Sequence, residues 1–131
     1  MDKETITRVV KSLVIHSGAV AVGIVTQETL EGGPPSTDLT YVLPEAKSAV
    51  VFALPMDQKA IESFLKKEDM AAANIDNRRV NNMASGLAFE VAEFLNMKGY
   101  KSIPVAANAV YRKDTPNGPY DEKPHVSHRY L

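Results

Sequence analysis

The chain has no cysteine and no tryptophan, and aromatic residues make up only 7% of its 131 positions. Without thiols it can form no disulfide, offer no thiolate nucleophile and ligate no thiolate-held cluster from its own residues. It also lacks a surplus of charge, since 15 basic residues stand against 16 acidic ones. So balanced a chain has no electrostatic footprint for nucleic acid or for an anionic membrane. Long apolar runs are missing too. The uncharged stretch over residues 12–27 is interrupted by His16, Ser17, Gly18 and Gly23. It lacks the positively charged lead-in and small-residue cleavage site of a signal peptide. Nothing approaches the roughly 20 apolar residues that cross a bilayer. The expectation from these absences is a cytoplasmic protein.

What is present suits one domain over residues 1–131. Hydrophobic residues make up 44% and charged residues 24%, the balance of an ordinary globular chain. At this length folding buries roughly two thirds of the extended-chain surface, enough for a core. Asp2 is placed to cap a first helix, with Ile6, Val9, Val10 and Leu13 recurring at helical spacing. Ser17-Gly18 ends it, because glycine takes the left-handed cap conformation without strain. A near-continuous apolar run from Ala19 to Val25 then predicts a strand buried on both faces, as in a sheet covered by helices. Gly32-Gly33-Pro34-Pro35 forces a loop, since a double proline continues neither a helix nor a central strand.

Pro44 opens a turn, and residues 49–54 (Ala-Val-Val-Phe-Ala-Leu) predict a second buried strand, stopped by Pro55. An amphipathic segment over residues 57–68 carries Ile61, Phe64 and Leu65 on one face. The longest helix is expected to start near residues 74–76 and to end at Gly99. Its apolar series Val80, Met83, Ala84, Leu87, Val91, Phe94 and Leu95 keeps the i, i+3, i+4, i+7 spacing. Ala84, Ala88 and Ala92 form a small-residue stripe that reads as internal packing. Residues 102–107 predict a third strand, with Pro104 placing it at an edge or a start. Beyond it Pro116, Gly118, Pro119 and Pro124 forbid long regular elements. Helix, strand, strand, helix, strand argues an α/β layered domain with helices packed on a sheet, α+β being the alternative.

Several of these residues carry a family resemblance. The ordered series Gly18-Ala19-Val20-Ala21-Val22-Gly23-Ile24, a proline loop, Leu43-Pro44-Glu45-Ala46-Lys47-Ser48-Ala49-Val50-Val51, and Leu54-Pro55 resembles the N-terminal domain of epoxyqueuosine-reductase-like iron–sulfur proteins. These are relatives of the corrinoid reductive dehalogenases. The long helix and the strand before a proline-rich loop follow in matching order. Ser127-His128-Arg129-Tyr130-Leu131 is similar to the start of the helix that leads into that family's glycine-rich loop. The resemblance covers essentially the whole chain and implies a nitroreductase-like or corrinoid-reductase-like layered fold. It implies as well that the chain is cut at Leu131, where a helix has begun with no Gly, Asn or Pro to close it. The expected remainder is a glycine-rich segment and a ferredoxin-like domain with two 4Fe–4S clusters, whose ligands would lie downstream. A corrinoid (cobalamin) held by this domain would receive electrons from those clusters and act on a small-molecule or nucleoside-type substrate. The chain departs from the reductases where they carry an acidic residue a few positions before the arginine. Here those positions read Lys123-Pro124-His125-Val126-Ser127, with Asp121 and Glu122 shifted beyond Pro124. That departure points away from epoxyqueuosine itself and to a relative of unassigned substrate.

Five residues are candidates for cofactor binding: Asn108, Tyr111, His125, His128 and Arg129. Asn108 and Tyr111 follow the expected third strand, and open α/β sheets bind ligands at the carboxyl ends of strands. Tyr111 could donate a proton, pack on a macrocycle, or simply cap the edge of the core. His125 and His128 are three apart, so a helix would turn both rings to one side. With no third ligand and no HExxH pattern they do not make a metal site. The resemblance sets them beside the corrinoid instead. Arg129 offers a planar, permanently charged fork for an anionic group on a cofactor, or serves as a surface arginine. His16 reads as a cation near a helix C-terminus, and the glycine–proline loop lacks the G-x-x-x-x-G-K-[ST] spacing of a phosphate loop. Lys66-Lys67 and Arg78-Arg79 read as solvated helix faces. The rival to an oxidoreductase half is a binding or dimerisation domain without chemistry, in which apolar surface left by the cut favours a homodimer. A flavin-binding nitroreductase-like domain is a third reading.

Overall fold

A computed structural model describes residues 2–33 and 38–105, and the side chain of Tyr41 is not described within them. The first helix, α1 (Lys3–His16), begins where Asp2 stands in extended backbone and accepts the Thr5 N–H at 2.7 Å. That bond satisfies one of the four amide groups that every helix start leaves without a partner. Ile6, Val10 and Val14 recur every four residues along one side and are buried, Val10 and Val14 completely. Spacing of this kind makes one continuous apolar ridge, and the core forms on it.

Two strands follow, β1 (Ala21–Thr26) and β2 (Ser48–Ala53), paired antiparallel with Ala21 opposite Ala53 and Thr26 opposite Ser48. Between them, a single 3-10 turn (Leu39–Tyr41) is capped by Asp38, and Leu39 and Leu43 are buried beside it. The ladder continues at one end through the Gln27 N–H, which donates to the Lys47 carbonyl at 3.2 Å. In an antiparallel pair opposite residues share a face. Val22 and Phe52 therefore project together, as do Ile24 and Val50. Val22, Val50 and Phe52 pack on the core built from Ile6, Val10, Val14, Ala19, Leu87 and Val91.

Two helices complete the described chain, α2 (Gln58–Leu65) and α3 (Met70–Met97). Asp57 caps α2 by accepting the N–H groups of Lys59 and Ala60, and Asp69 caps α3 through the N–H of Ala72. The 28 residues of α3 span about 42 Å at 1.5 Å per residue, twice the roughly 20 Å of a six-residue strand. The helix therefore serves two partners. Its C-terminal half brings Leu87, Val91, Phe94 and Leu95 to the core, while α2 packs along it in a helical hairpin.

All three helices end in the same reciprocal hydrogen-bond pattern, with a left-handed residue one position past the cap. In α1 the Ala19 and Gly18 amides donate to Val14 and Ile15 carbonyls; in α3 Tyr100 and Gly99 donate to Leu95 and Asn96. In α2 the amides of Glu68 and Lys67 donate to Ser63 and Phe64. Gly18 and Gly99 adopt the positive φ at no steric cost, whereas Lys67 holds φ 58° with a Cβ. Lys67→Gly is expected to raise the unfolding free energy by about 0.5–1 kcal/mol, partly offset by chain entropy. Urea denaturation checks it, and an unchanged or lower midpoint would show that Lys67 carries no strain.

Several expectations are corrected. The described architecture is a small α+β arrangement of three helices and a two-stranded antiparallel sheet, the α+β alternative rather than the first-named α/β one. The strands are half-buried or exposed along their length, not buried on both faces. Residues 101–105 form no strand, and residues 106 and 107 of the expected third strand lie outside the described residues. The long helix starts at Met70, one turn or more before the expected point, because Asp69 supplies the cap. Met83 is 43% exposed although its spacing suits the core, and Phe64 and Leu65 face water at the end of α2. Among the described residues no helix is long and apolar enough to cross a membrane.

Candidate functional site: the outer face of the sheet

The inner face of the sheet is taken by the core, so the question is what its other face presents. Opposite parity places Ala21, Gly23 and Val25 of β1 beside Ala53, Val51 and Ala49 of β2, pair by pair. No polar or charged side chain interrupts these six positions. Ala21 and Ala53 are exposed, the other four half-buried, and none belongs to the core cluster. At its centre a Cβ built on Gly23 would meet nothing within 4 Å. The result is an apolar, partly exposed floor on which none of the core cluster packs among the described residues. Antiparallel sheets with one solvated face normally alternate apolar and polar residues, and this one does not.

The segment after α3 is held by two side-chain contacts. Past α3, the Asn96 side chain accepts the Ser102 N–H at 2.8 Å and donates to the Ser102 carbonyl at 3.1 Å. Lys101 pairs with Glu45 at 3.1 Å, which brings residues 101–105 next to the turn that leads into β2. Both side chains of that pair are about two-thirds exposed, so it steers the chain more than it stabilises it.

The three displaced carboxylates of the described residues have structural causes. Asp2 is lowered below its ordinary pKa by the backbone and side chain of Thr5, and Asp38 by the hydroxyl and then the amide of Thr40. Asp76 is lowered first by the Asp57 N–H and then by Arg79. Asp76 is the buried charged residue of the described chain. Its Oδ2 accepts the Asp57 N–H at 2.8 Å, and its Oδ1 accepts from Arg79 Nη2 at 2.7 Å and Nε at 3.1 Å. Arg79 is thus half of a clamp between the start of α2 and the body of α3, not merely part of a solvated face. None of these carboxylates has the raised pKa of a general acid, so they hold the scaffold.

His16 ends α1, as expected, with its Nδ1 at 2.7 Å from the Ser12 carbonyl, to which it donates. An open depression on the flank of α1 is lined by Glu4, Thr7, Arg8 and Lys11, all surface side chains of one helix. Among the described residues no three His, Asp or Glu side chains come together as metal ligands. The five sequence candidates, Asn108, Tyr111, His125, His128 and Arg129, lie outside the described residues, as do Pro34 and Pro35 of the glycine–proline loop. β1 and β2 run antiparallel, so their carboxyl ends lie at opposite edges of the pair.

The apolar floor was not anticipated, although its signal was in the sequence. β1 and β2 are apolar at both parities, which means two coverings, and the described residues supply one. No protein-family model, curated protein or solved structure matches this chain.

Proposed function

We propose that this chain is the cofactor-side part of a cytoplasmic iron–sulfur oxidoreductase similar to epoxyqueuosine reductase. In this role it lends one wall of a redox-cofactor pocket. The observation that carries the reading is the ordered series Gly18–Ile24, Leu43–Val51 and Leu54–Pro55. The apolar floor supports it, because pockets for organic cofactors are lined mostly by apolar side chains with a few polar groups for orientation. The described residues do not by themselves fit a corrinoid. They bring no imidazole to a common point and no polar group onto the floor. Their contribution is a wall, with no chemical step of their own. Electron transfer would require clusters held by cysteines that this chain does not contain. Orientation of the cofactor falls to Asn108, Tyr111, His125, His128 and Arg129, and the acidic departure before Arg129 argues for a substrate other than epoxyqueuosine.

Mixing the full chain with cobalamin, and separately with FMN, tests this directly. The expected result is a saturable change in the visible spectrum of one of them, cobalamin first. Unchanged spectra of both would overturn the cofactor-wall reading, and a flavin-only response would favour the nitroreductase-like alternative.

A second reading, a binding or dimerisation domain without chemistry, is favoured by a separate observation. Ile75, Phe89 and Met97 are 67–78% exposed and lie within about 80° of one another around α3, at 3.6 residues per turn. Gly86 falls between them, where an added Cβ meets nothing within 4 Å. Exposed Arg79, Asn82 and Glu93 fall on the same side between them, so the three are spaced apolar contact points and not one continuous patch. Under this reading sedimentation shows a concentration-dependent dimer, Phe89→Glu abolishes it, and neither cofactor changes its spectrum. A monomer at all concentrations would remove the homodimer form of the reading.

A further inference from the structure

We draw no further inference here: the strongest candidate, the outer face of the two-stranded sheet formed by Ala21, Gly23, Val25, Ala49, Val51 and Ala53, belongs to the site already described, and nothing in the structure shows what covers it.

Discussion

Leu87→Ala is expected to lower the unfolding free energy by about 2–5 kcal/mol, the cost of deleting a buried branched side chain and leaving a cavity. Leu87 is 5% exposed and stands in the cluster that joins α3 to Ile6, Val10 and Val14 of α1. Among the described residues this main cluster contains six buried apolar side chains, two of them fully enclosed, and Val91 of α3 belongs to it as well. With net stabilities of about 5–15 kcal/mol typical of whole domains, this one truncation removes a large share. Chemical denaturation followed by circular dichroism reads the change. A loss below about 1 kcal/mol would mean that the site collapses around the alanine and that α3 is held elsewhere. Leu87→Met, which keeps the volume, should cost under about 1.5 kcal/mol.

Asp76→Ala is expected to loosen α2 from α3 and to flatten the acid limb of the stability profile. The carboxylate receives the amide at the start of α2 and the guanidinium of Arg79. Removing it leaves the Asp57 N–H and Arg79 without that partner, and an unmade bond at a shielded donor costs more than a made one contributes. Asp76→Asn separates the two parts. It keeps an acceptor for the Asp57 amide and loses the charge that faces Arg79.

The pH dependence has a definite sign. Hydrogen bonds hold the folded Asp76 carboxyl below its ordinary pKa. Its stabilisation is therefore fully present above the unfolded value of about 3.9 and is lost as pH falls through the lower folded value. Wild type and Asp76→Asn should differ most near neutrality and converge below about pH 4. Asp2 and Asp38, also lowered, tilt every variant the same way, so the comparison between the two proteins isolates Asp76. Thermal melts from pH 2 to 7 measure it. A constant difference at all pH values would show that the charge contributes nothing. Amide exchange at Asp57 supplies the structural readout, faster in Asp76→Ala than in Asp76→Asn.

Much of the local structure was legible because local rules govern it. Asp2, Ser17 and Gly18 bound α1 as their capping chemistry requires, and Pro55 stops the second strand. The series Leu87, Val91, Phe94 and Leu95 does reach the core. Met83 has the same spacing but is 43% exposed, its sulfur accepting from Arg79 Nη1 at 3.3 Å. In the sequence Arg79 reads as part of a solvated helix face and Asp76 only as part of the expected helix start. Nothing in their i, i+3 spacing says that the amide of Asp57, 19 residues earlier in the chain, completes the site. The candidate site was less legible than the elements. Its five named residues lie outside the described chain, and the apolar floor showed itself only as apolar residues at both parities of β1 and β2.

By itself the sequence determined where α1 starts and stops, where α3 ends, which two segments form β1 and β2, and which side of α1 is apolar. Each of these depends on residues within a few positions of one another. Only the tertiary structure decided that β1 and β2 run antiparallel, that one of their apolar faces packs on the core cluster while the other does not among the described residues, and that Asp76 is the buried charge of those residues. Those outcomes depend on which distant segments meet, and spacing along a chain carries no record of that.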